Sequence, residues 1–271
     1  FTIGLALNGP MTRAMFKASG AWQAPFIVYG AFGLALALGV FLVGRGRSRI
    51  YETKYHELPS PPDAHPGSWA TWLKNRNMQL LLVTMAFWGL TQYGFIGLRI
   101  LYLRNAQHFT FGDAVLVASI GGWSAFGFSF VAGYLSDVIG RRWTLLIFGT
   151  VALLAVVPFF VLHQTLLSAV ILAAIFQAAN GCFFPVGTAY AQDFARTDAL
   201  GAHTGAVVGI GHLAAGVSGL IAGALAGHFG YASLGWYFAA ASVVIVAAIA
   251  LTRDPRFGKS RQQIADAVTP A

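Results

Sequence analysis

The amino-acid sequence predicts an all-α, polytopic transmembrane bundle, from its scarcity of charge, the length of its apolar runs and the continuity of those runs. The 271 residues are 57% hydrophobic and only 10% charged, whereas soluble domains carry about 25% charged residues. The apolar residues gather into runs of about 20, the length a helix needs to cross a hydrocarbon core roughly 30 Å thick. The runs lack the alternation of a membrane β-barrel. Lipid offers no partner to a backbone N–H or C=O, so each run must close its hydrogen bonds internally, as a helix. Glycine is frequent, at 32 residues, which suits helices in close contact. The single cysteine, Cys182, excludes an intrachain disulfide.

Taken in order, residues 1–16 read as part of a span interrupted by Asn8-Gly9-Pro10. Neither a basic segment nor a cleavage site precedes Phe1, so this stretch is not a signal peptide, and the expectation is a chain truncated at its amino terminus. Seven full spans are expected at 24–43, 78–103, 112–135, 143–162, 165–191, 204–228 and 232–251. Leu162-His163-Gln164 is short enough to force an antiparallel hairpin, and Pro185 predicts a bend. Residues 44–77 form the one long polar segment, with Pro59, Pro61, Pro62 and Pro66 among basic residues, the composition of a linker. Trp69 and Trp72 near its end predict a short interfacial helix.

The net charge of +8 would suggest a nucleic-acid partner in a soluble protein. Here the basic residues lie in loops, and no nucleic acid is expected. With the 44–77 linker in the cytoplasm, thirteen of the 17 Lys and Arg residues fall on that side, as positively charged loops do. The expected location is the cell membrane, with the carboxyl terminus cytoplasmic.

The loop between the spans at 112–135 and 143–162 reads GYLSDVIGRR, residues 133–142. A turn this short needs the freedom of Gly140, Arg141 and Arg142 hold it on the cytoplasmic side, and the Asp137 carboxylate suits a helix amino terminus. Gly133, Asp137, Gly140, Arg141 and Arg142 resemble the signature loop of the major facilitator superfamily, with Val138 where the family carries a base. WQAPFIVYG (22–30) and QDFARTDALGAHTG (192–205) also resemble family passages. The resemblance implies part of helix five and helix six in 1–43, the inter-bundle linker in 44–77, the carboxy-terminal six-helix bundle in 78–251 and a cytoplasmic tail in 252–271. It also implies that the first helix of that bundle and the one spanning 165–191 line the substrate cavity, that the spans at 112–135 and 204–228 contact the other bundle, and that Asp137 faces the start of helix five.

Within 78–103, Thr84, Trp88, Gln92, Phe95 and Arg99 recur at helical spacing, with Tyr93 beside them. Trp88, Gln92, Tyr93 and Arg99 are the candidate cavity residues here. A guanidinium can hold a carboxylate by two bonds. One turn from the helix end, Arg99 is also placed to snorkel outward. Gln177 and Asn180 in 165–191 share a face with Phe184 and Thr188, and can bind solute or join helices. His212 lies among Gly205, Gly209, Gly216, Gly219 and Gly223, a stripe that reads as a close packing face. It is the candidate proton relay, because histidine exchanges protons near neutral pH; its competing role is a bond to a neighbouring helix. All nine acidic residues fall outside the deep membrane.

These features point to secondary transport of a small organic solute, with a carboxylate the favoured class and protons the coupling ion for symport. Drug export by proton antiport is the runner-up, and a non-transporting fragment or interaction module is the reading from another class. No metal-ligand cluster, nucleophile elbow, paired intramembrane carboxylates or phosphate-binding loop is found in the sequence, so neither an enzyme nor a bound cofactor is expected.

Overall fold

The computed structural model describes residues 11–12, 14–15, 17–21, 23–55, 75–194 and 200–253, and among these its regular structure is entirely helical. The described residues fall into two compact units, one within Asn8–Gly67 and one within Ser68–Ala271. Asn8-Gly9-Pro10, the Pro-rich and tryptophan-bearing part of the linker, residues 195–199 and the tail beyond Arg253 lie outside the described residues.

The smaller unit holds α1, Ala24–Tyr55. This helix outlasts the expected membrane span, running on through Gly44 and Gly46 into the polar segment. Lipid ends an apolar run, but only a breaker ends a helix. RSRIYETKY contains no proline, and its Arg, Glu and Lys are good helix formers. The described apolar part of α1, Ile27–Leu42, is shorter than a full span. Phe32, Leu34 and Val40 are exposed along it.

The larger unit contains α2 (Arg76–Asn105), α3 (Phe111–Val138), α4 (Arg141–Val161), α5 (Leu166–Gly181), α6 (Phe183–Phe194), α7 (Leu200–Phe229) and α8 (Ala232–Leu251). They supply six segments long and apolar enough to cross a membrane, α5 and α6 together forming one of them. Six of the seven expected spans correspond to these segments, and the expected span at 24–43 falls in the apolar part of α1. Local signals set the helix starts. The side chains of Asn75 and Thr110 accept from Asn77 N and Asp113 N, and Thr165 with Ser168 completes a capping box. Gly140 begins α4 with φ +95°, a conformation that glycine adopts at little cost.

The fifth span is broken at Cys182, just before Pro185. Proline has no N–H, so the Gly181 carbonyl loses the donor four residues on. Val186 N still reaches Cys182 O at 3.2 Å, and α6 resumes from there.

The helices pack in a reciprocal pattern. α2 lies against α7 and α8, α5 lies against α3 and α4, and α4 meets α8. Exchanging the trio α2–α3–α4 with α5/α6–α7–α8 reproduces the same contacts, as two inverted three-helix repeats would. Each trio's first helix is therefore central. Between them lies an aromatic core in which Phe95 meets Phe176 at 4.3 Å and Tyr102 meets Phe160 at 4.8 Å.

The glycine stripe of α7 is unpartnered among the described residues. A Cβ added at Gly205, Gly209, Gly216, Gly219 or Gly223 would meet no heavy atom within 4 Å, so that stripe of α7 faces open space among the described residues. The close approach lies on another face, where Gly211 packs on Met85 and Trp88, and Gly89 abuts the Gly211 carbonyl. Glycine spacing marks where approach is allowed, and the partner helix decides which stripe is used.

Replacing Gly89 with Ala should therefore destabilise the bundle by about 1–3 kcal/mol, the usual cost of overpacking, despite the roughly 1 kcal/mol that Ala gains over Gly in a helix. Gly216→Ala should be neutral or stabilising. Thermal unfolding of the detergent-solubilised variants reads both.

Candidate functional site

The stripe on α2 is buried as a whole. Thr84, Trp88, Gln92, Phe95 and Arg99 are each no more than 4% exposed, and Gln177 and Asn180 on α5 are as deeply enclosed. These residues sort into arrangements of different chemistry.

Trp88, Gln92 and Asn180 answer one another. Trp88 Nε1 donates to the Asn180 carbonyl at 2.8 Å, and Asn180 Nδ2 donates to Gln92 Oε1 at 2.9 Å and lies 3.3 Å from Thr91 Oγ1. This cluster joins α2 to α5 by mutually bonded groups. Thr91 completes it, and sequence reading missed it because a helical threonine can always bond its own backbone, as Thr91 does to Trp88 O.

Tyr93 and His212 form an open arrangement. Tyr93 Oη lies 3.1 Å from His212 Nε2, and the two rings are 5.6 Å apart. His212 is exposed and Tyr93 half-buried. The Trp88 ring stands edge-on to Tyr93 at 6.1 Å, and Phe184 stands edge-on to His212 at 6.5 Å. His212 Nδ1 lies 2.9 Å from the Val208 carbonyl.

Arg99 and Gln177 form the third arrangement. The outward, snorkelling placement of Arg99 is overturned: it is 4% exposed, with its guanidinium 5.8 Å from the Phe95 ring centre. Cα–Cβ bonds in a helix tilt toward the amino terminus. From a site near the carboxyl end of α2, the side chain therefore leans into the bundle, away from the nearer surface. Arg99 Nε and Nη1 and both polar atoms of the Gln177 carboxamide are enclosed without a hydrogen-bond partner among the described residues. Between them stands Gly121 of α3, where an added Cβ would lie 3.2 Å from Gln177 Cγ and 3.5 Å from Arg99 Nη1. The signal for this third wall was the Gly121-Gly122 pair inside a span.

The face shared by Phe184 and Thr188 continues onto α6, where Thr188 Oγ1 donates to the Phe184 carbonyl at 2.9 Å.

At the opposite end of α3, the 133–142 loop works as a clasp. Arg141 Nε lies 2.8 Å from Asp193 Oδ2 on α6. Arg142 Nη2 donates to the Ala250 carbonyl at 2.6 Å, and Nε to Ile249 at 3.4 Å. A cation thereby covers the free carbonyls at the end of α8. Asp193 was legible only as one of several acids near helix ends. Asp137 is exposed, and an added Cβ at Gly133 would meet nothing within 4 Å.

The Major Facilitator Superfamily profile matches residues 99–270, well over half of the chain. No curated protein matches it.

Asn180→Leu should destabilise the protein by about 1–3 kcal/mol, since it strands the Gln92 carboxamide oxygen in the interior. Tyr93→Phe, which removes an open-sided bond, should stay within about 0.5 kcal/mol of the parent. Thermal unfolding in one detergent separates the two.

Proposed function

Because the chain belongs to the major facilitator superfamily and is a multi-pass membrane transporter, we propose that it moves a small organic solute by proton-coupled symport, through alternating access around a site between helix bundles. The carrying observation is the Tyr93–His212 pair on the open side of α2 and α7. The Val208 carbonyl can only accept, which assigns the proton of neutral His212 to Nδ1 and leaves Nε2 to accept from the Tyr93 hydroxyl. A proton arriving at Nε2 reverses that bond. Nε2–H then donates, and the Tyr93 hydroxyl proton turns outward, toward a solute lying against Phe184. Proton uptake and solute contact are thereby joined in two side chains. The acids described in the larger unit support histidine in this role: Asp113, Asp137 and Asp193 all sit at helix ends.

In proteoliposomes, an inward proton gradient should drive accumulation of solutes from a labelled metabolite panel, and a protonophore should abolish it. His212→Ala should lower gradient-driven accumulation at least about tenfold while solute exchange persists. Accumulation only under an outward gradient would replace symport with export by antiport.

A further inference from the structure

A charge inside a bilayer costs several kcal/mol unless it is paired or reaches water. Among the described residues Arg99 forms no ion pair or hydrogen bond, and its Nε and Nη1 are fully enclosed. Beside it, Gln177 is 0% exposed with both its donor and its acceptor unpartnered. Both close on Gly121, where an added Cβ would lie 3.2 Å from Gln177 Cγ and 3.5 Å from both the Ala173 carbonyl and Arg99 Nη1. A methionine in place of Arg99 and a leucine in place of Gln177 would fill the same volume without burying polar groups. Three helices have instead brought an unanswered cation, an unanswered amide and a vacant Cβ position to one point.

The carboxylates described in the larger unit are committed or remote. Asp113 takes the Thr110 hydroxyl at 2.6 Å, Asp193 faces Arg141, and Asp137 lies sixteen residues along α3 from Gly121, about 24 Å by helical rise. We infer that Arg99 and Gln177, over Gly121, form the subsite for the acid group of a small organic monocarboxylate.

The charge count selects the class. One cation neutralises one negative charge, and a dianion would leave a net charge buried. The guanidinium donates to the carboxylate oxygens, and Gln177 Nε2 donates to one of them. Phe95 beneath the guanidinium, backed by Phe176, presents an apolar floor that excludes water and strengthens the ion pair. The subsite deepens the transport reading, on which its biological sense rests, by naming the solute class.

The test uses the whole protein in nanodiscs of zwitterionic lipid, with saturation-transfer NMR of formate, acetate, propionate and benzoate against acetamide, propionamide and benzamide. The acids should bind at least tenfold better than the matching amides. Arg99→Met should lose acid binding at least tenfold while its thermal midpoint rises, since an unanswered buried charge has gone. Gly121→Ala, with the charge intact, should weaken acid binding severalfold, and it keeps the test decisive if Arg99→Met does not fold. The inference is overturned by equal binding of acids and amides, by no binding of any acid, by retained acid binding in Arg99→Met, by a lowered midpoint in that variant, or by displacement of acetate with equimolar chloride. If the acids bind as expected but uptake ignores the proton gradient, the subsite stands and the coupling falls. If uptake is proton-driven and unaffected by Arg99→Met, the coupling stands and the subsite falls.

Discussion

Asn180 ties α5 to α2 in a solvent that offers no hydrogen bonds, and the rest of the bundle is arranged around that tie. Its carbonyl takes Trp88 Nε1, and its carboxamide takes up Gln92. In lipid such bonds have no aqueous competitor, so a polar side chain on a span must find a partner on another span or on its own backbone. The other helix contacts repeat the device at smaller scale. Ser218 donates to the Leu90 carbonyl across α7 and α2, and Ser124 to Ala174 across α3 and α5. Small residues bring the backbones near, and a hydroxyl then closes the gap.

Both ends of the bundle are bound by polar groups as well. At the loop end, Arg141 and Arg142 hold α6 and α8, and Asn77 exchanges two bonds with the backbone of Arg253, at 3.1 and 3.0 Å. At the other end, Gln164 Nε2 reaches the Pro158 carbonyl at 2.7 Å, and Gln107 bonds Tyr102 and the backbone N–H of Gln164. Between these two belts the polar groups are satisfied at the Asn180 cluster, paired on the open side at Tyr93 and His212, and unanswered at Arg99 and Gln177. Function is sought in the last two, because a site for another molecule must hold groups that the fold itself does not use.

Much of the fold was legible. The spans followed from hydropathy, the hairpin at Leu162-His163-Gln164 from its shortness, and the break before α6 from Pro185. Two features escaped the sequence for identifiable reasons. The extension of α1 to Tyr55 escaped because apolarity and helicity end for different reasons. The outward path for Arg99 neglected the tilt of helical side chains toward the amino terminus.

Within the candidate site, the residue types were readable and their grouping was not. Trp88, Gln92, Tyr93, Arg99, Gln177, Asn180 and His212 could all be picked out as polar or amphipathic groups inside apolar runs. By itself the sequence determined that this chain crosses a membrane as packed helices, that 133–142 is a basic hairpin turn, and which polar groups lipid would make costly. Only the tertiary structure decided which of those groups answer one another. Side chains 88 residues apart, such as Gln92 and Asn180, meet at 2.9 Å, while Arg99 and Gln177, beside the same gap, do not bond. Partnership in lipid depends on which helix faces which, and that is a property of the packed bundle rather than of any one span.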